Sequence, residues 1–259
     1  MKSKNLLVAL IIGTCLGASP ILAHEGEPEP AVGLEKLGKV HFPTSCSAAA
    51  AQQFDRAVAL LHSFWFQESG KAFAAIAQAD PGCAMAHWGS AMTLFGNPFT
   101  WPLTGKALAD GWAAVEKAKA AQAKTARERD YIAAVEAFYK DSDTRDHRSR
   151  ALAYEKAMEK VYLRYPKDTE AAIFYALALN TTALPTDKTY AQQLRAAAIL
   201  EKVFKAQPRH PGVAHYLIHS YDYPPIAKQG LPAARLYAGI APAAPHALHM
   251  PSHIFTRQG

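Results

Sequence analysis

What this chain has little of already narrows what it can be. Charged residues make up 19% of the 259, and cysteine occurs three times. Low charge with 50% hydrophobic residues excludes a disordered polymer and supplies material for a sizeable core. No two of the cysteines stand two residues apart, which excludes zinc ribbons and covalent haem attachment. The chain has no His-Glu-x-x-His, no Gly-x-Ser-x-Gly and no phosphate-cradling glycine loop. Asp141, Asp143 and Asp146 lack the glycine and final glutamate of a calcium loop, so they are expected to cap a helix starting near residue 147. Strand formers are scarce as well. Val, Ile and Thr together number 33 against 52 Ala, and alanine loses no side-chain entropy in a helix.

Long apolar runs are confined to the N-terminus. Lys2 and Lys4 precede an apolar stretch from Leu6 to Leu22 that is broken by Gly13, Gly17, Ser19 and Pro20. This pattern predicts a secretion signal over residues 1–23, cut after Ala23, rather than a membrane span. The protein is therefore expected to be periplasmic or extracellular, with no membrane span in the mature chain. That chain carries 26 basic and 22 acidic residues, interleaved as on solvated helix faces, and nucleic-acid binding is not indicated. Export also bears on Cys46 and Cys83, which are expected to form a disulfide, the alternative being two buried thiols. Closing a loop of roughly 38 residues contributes about 4 kcal/mol on the chain-entropy argument.

Residues 24–45 are rich in Pro, Gly and Glu and read as an extended lead-in. Helical periodicity follows. Phe54, Val58, Leu61 and Trp65 form one apolar stripe, as do Tyr131, Val135 and Phe138, and then Tyr154, Met158, Val161 and Tyr165. The class is all-α. Helices end at Pro81, Pro166, Pro208 and Pro242, at intervals of 85, 42 and 34 residues, the first spanning about two units. A helix–turn–helix period of this size predicts a helical solenoid over residues 46–259. Gly230 is expected at a close helix crossing. The final helix has no second helix to pack against, which reads as truncation at the C-terminus.

Residues 197–208 (AAILEKVFKAQP) and 230–242 (GLPAARLYAGIAP) resemble the second half of a tetratricopeptide repeat. The segments HFPTSC, LLHSFWF, DPGCAMAHWG, TDKTY, HYLIHSYD and APHALHMPSHIF are similar to exported bacterial proteins of that repeat family. The resemblance implies a right-handed solenoid of helix pairs with a concave groove for a peptide or protein partner. Trp88 is the aromatic residue expected to line that groove; His62 and His87 are expected to be interior.

The histidines carry the chemistry. His215 and His219 lie at i, i+4, as do His249 and His253, and each pair is separated from its counterpart by 34 residues. In the resembling repeats these positions fall on the concave face of the first helix. Four imidazoles in register predict a site for a divalent transition metal such as zinc, copper, nickel or iron. Asp222, Tyr221 and His246 are candidates for further ligands or for fixing ring tautomers. Pro251 lies inside the second pair, so a helix starting after it would undo the i, i+4 geometry, whereas a kink would retain it. Three functions follow: a partner-binding scaffold, a metal-binding or metal-handling protein, and a metal-dependent enzyme.

Overall fold

Alanine-rich helices joined by proline turns account for most of the structure, a computed structural model that describes residues 36–259. The expected secretion signal and the first part of the lead-in lie outside the described residues. In chain order the helices are α1 (Ala48–His62), α2 (Phe66–Ala79), α3 (Ala84–Phe95), α4 (Gly105–Ala120), α5 (Ala126–Tyr139) and α6 (His147–Arg164). They continue as α7 (Thr169–Thr182), α8 (Ala191–Ala206), α9 (Pro211–Tyr221), α10 (Leu231–Ile240), α11 (Pro245–His249) and α12 (Pro251–Gln258). No described residue is in a strand, and no described helix is long and apolar enough to cross a membrane.

Local chemistry sets the helix starts. Thr125 and Glu128 form a capping box on α5, and Asp146 and Asp168 accept backbone N–H groups at the starts of α6 and α7. Pro211 and Pro245 occupy the first turns of α9 and α11, where a missing N–H costs nothing.

Each helix packs on its sequence neighbour, and the odd-numbered helices also touch one another: α1 with α3, α3 with α5, α7 with α9. Helix α7 is buried on almost every side and α9 on nearly all, as expected of helices apolar all round. Helices α2 and α8 bury only a stripe. An inner set is thus wrapped by an outer one. Helix α1 also meets α9, far along the chain, a departure from a linear stack in which each repeat touches only its neighbours.

The interior is filled with rings. Trp88 is 2% exposed and packs among Phe42, Phe54, Tyr131 and Phe174. The expectation that Trp88 lines a groove is corrected: helices α1, α3, α5 and α7 converge on it and remove its indole from solvent. Phe42 comes from the lead-in, whose described part is a strap rather than a loose arm. Lys39 N–H donates to Arg209 O at 2.9 Å, Phe42 N–H to Asp55 Oδ1 at 2.8 Å, and Ser45 N–H to Glu128 Oε1 at 2.6 Å. Immediately after the strap, Cys46 is bonded to Cys83, with Cα atoms 4.8 Å apart.

Two outcomes follow from this packing. Reduction of Cys46–Cys83 is expected to lower unfolding stability by up to about 4 kcal/mol, read from urea midpoints with and without reductant. A Cβ on Gly230 would lie 2.7 Å from Ile254 Cδ1 and 3.1 Å from Tyr221 Cβ. Gly230→Leu should therefore cost about 1–3 kcal/mol in the same titration.

Candidate metal centre

Two knots of polar side chains meet at the C-terminal end of α1. The first is built on Glu170 in the opening turn of α7. Its carboxylate accepts the Nε2–H of His62 and that of His210, each at 2.8 Å. His62 Nδ1 accepts the Tyr216 hydroxyl at 3.0 Å. All three ionisable side chains are buried. Burial opposes charge on Glu170, but His210 and His62, with their hydrogen bonds, outweigh it and hold the carboxyl well below the usual range. Burial lowers His62 despite the opposing effect of Glu170. A Cβ on Gly212 would lie 2.6 Å from His62 Nδ1, so the α9 backbone can approach that ring only at a glycine.

The second knot starts from the backbone of the same residue. His62 ends α1, and the last carbonyls of a helix have no partner inside it. His62 O accepts Nδ1–H of the fully buried His215 at 2.6 Å. A carbonyl can only accept, so the proton of the neutral His215 ring is on Nδ1 and Nε2 carries a lone pair. That nitrogen lies 3.1 Å from His219 Nε2 and 3.1 Å from His246 Nε2. One in-plane lone pair accepts one N–H well and cannot serve two. A cation between the rings satisfies all three nitrogens at once. Ligands about 2.0–2.1 Å from a tetrahedral ion stand roughly 3.3 Å apart, close to the spacing here. All three nitrogens lie within 4.8 Å of one another.

Aromatic rings enclose this nest. Phe64 packs 4.4 Å from His215 and stacks 5.3 Å from His246, while Phe99 stacks on His219 at 3.9 Å. Phe64 does so from φ 52°, the left-handed position that normally falls to glycine after a helix. Phe64 N–H donates to Leu61 O and Trp65 N–H to Leu60 O, the paired bonds of a Schellman ending. A bulky residue there costs roughly 1–2 kcal/mol, offset by its ring contacts on the histidines.

Burial, and then the neighbouring histidines, push His215 and His219 well below their ordinary value, and His246 down to about 4. At neutral pH the three rings are neutral, the state in which imidazole binds metal.

The expected site residues fall into two adjoining groups. His215 and His219 join His246, which stands one helical turn before His249. His249 and His253 pair with each other, Nε2 to Nε2, at 3.0 Å. Pro251 does start a new helix, but Met250 keeps α-helical angles, so the i, i+4 relation survives the break between α11 and α12. Asp222 Oδ2 accepts Nδ1–H of His253 at 2.8 Å. Tyr221 is corrected as a candidate partner of the histidines: its hydroxyl donates to Glu201 at 2.7 Å because that side of α9 faces α8. The Glu170 knot and the Phe64 cover carry no signature along the chain; the one local hint is glycine at 212, directly after the α9 proline.

Comparison of the chain with protein-family models, curated proteins and solved structures gives no match.

The depressed histidines set the sign of the pH dependence. His62, His215, His219 and His246 ordinarily titrate at 6.5 and are lowered on folding, so below that value the unfolded chain binds more protons. Their contribution is fully present above 6.5 and is lost as pH falls, for His246 toward about 4. Glu170, also lowered, adds loss of the same sign in more acid solution. The urea midpoint of EDTA-treated protein should accordingly be clearly lower at about pH 5 than at about pH 7.5.

Proposed function

We propose that this protein is a metal-binding helical-repeat scaffold, with His215, His219 and His246 as ligands of one divalent transition-metal ion. The observation that carries this reading is the convergence of three Nε2 atoms, two of them 3.1 Å from a third whose other nitrogen is committed to a carbonyl. The His62 carbonyl serves as the outer partner that orients a ligand ring, as carbonyls and carboxylates do around bound metals. Three imidazoles leave the fourth position of a tetrahedral ion for water or a further ligand. Phe64 and Phe99 dry one side of the nest, while the partial exposure of His219 and His246 leaves an approach from the other.

The scaffold belongs to the same proposal. Helices packed in sequential pairs with proline-marked turns support a helical repeat resembling tetratricopeptide repeats, turned back on itself by the contact of α1 with α9. The Cys46–Cys83 bond and the leader-like sequence of residues 1–23 support export to an oxidising compartment. A partner held in the groove loses its one named aromatic contact with the burial of Trp88, so the metal reading takes precedence.

Equilibrium dialysis of EDTA-treated protein against Zn²⁺ tests the centre. Wild-type protein should retain zinc, and His215→Ala or His246→Ala should weaken binding beyond the roughly 10–100-fold typical of losing an outer partner. Helical circular dichroism should be unchanged in the His246 variant. Unaltered zinc retention in both variants would overturn the assignment.

A further inference from the structure

The rim of the nest carries a second set of nitrogen donors that the three-histidine centre does not use. His249 and His253 bring their Nε2 atoms to 3.0 Å of each other, with His249 exposed and His253 half-buried. His253 has the arrangement already seen at His215: its Nδ1–H is committed, here to Asp222 Oδ2 at 2.8 Å, so in the neutral ring Nε2 carries the lone pair. Asp222 is itself held, since Arg257 Nε donates to Oδ1 at 3.0 Å. A carboxylate that fixes a histidine while the opposite nitrogen faces a partner is the usual outer arrangement of a metal ligand. Asp222 directly follows α9, which carries His215 and His219, so one helix supplies ligands to the first position and the anchor of the second.

The two groups adjoin. Ring centroids of His219 and His253 are 6.2 Å apart, and those of His246 and His249 are 6.0 Å apart. At this spacing two bound ions would be neighbours.

We infer that His249 and His253 hold a second divalent transition-metal ion beside the first, with Asp222 as the positioning residue for His253. This rests on the three-histidine reading. Two imidazoles leave more of the coordination sphere to water than three do, so the outer ion should bind more weakly and exchange faster than the inner one.

The test is zinc stoichiometry of the full chain, stripped with EDTA, loaded with Zn²⁺ alone and measured by elemental analysis after dialysis. Wild-type protein should carry about two ions per chain, as a two-metal site requires. His249→Ala with His253→Ala should reduce this to about one, and Asp222→Ala should weaken only the outer ion, by roughly 10–100-fold. A wild-type stoichiometry of one, kept in the His249/His253 variant, would overturn the outer ion and leave the inner one standing. One ion that is lost both in that variant and in a combined His215, His219 and His246 variant would mean the pair completes the inner site, again overturning a second ion. One ion in wild-type protein that is lost in the His249/His253 variant but kept in the combined His215, His219 and His246 variant would remove the inner reading and keep the outer. No zinc in wild-type protein would remove both. Helical circular dichroism on every variant separates loss of metal from loss of fold.

Discussion

The Glu170 carboxylate is the constraint on which the centre of this protein depends. A charge taken out of water is tolerated only with close, well-oriented partners, and removing one partner typically costs several kcal/mol. Here those partners come from the end of α1 and from the turn before α9. Satisfying Glu170 therefore brings α1, α7 and α9 together at one point. The contact between α1 and α9, which turns a row of helix pairs back on itself, is made where this carboxylate needs it.

His62 transmits that placement to the candidate centre. Its ring serves Glu170 and Tyr216, while its carbonyl, left over at the helix end, serves His215. A group that must be satisfied for stability thus also sets the tautomer of a candidate metal ligand. Local rules are broken nearby: Phe64 takes a left-handed backbone position, and His215 is buried completely beside two other imidazoles. Such departures are tolerated where surrounding structure over-determines them, and they concentrate at sites with a function. The inner nest and the rim pair share one logic, in which one nitrogen of His215 or His253 is spent on an acceptor and the other faces neighbouring imidazole nitrogens.

What the sequence by itself determined is the local part. Alanine content, apolar stripes and proline turns specify helices, since each depends on residues a few positions apart. The i, i+4 pairs His215/His219 and His249/His253, the cap at Asp146 and the two-cysteine count were legible for the same reason. The tertiary structure decided the rest. Trp88 sits on a helix whose faces look alike along the chain, and only the convergence of the inner helices shows that its indole is interior. Register pairs His215 with His249, whereas packing brings His246, one helical turn earlier, to His215. The contact that orients His215 spans 153 residues, and Glu170 reaches its two histidines across 108 and 40. No periodicity carries such pairings, because they arise where helices distant in sequence share a buried polar group, and the cost of leaving that group unsatisfied selects the partners.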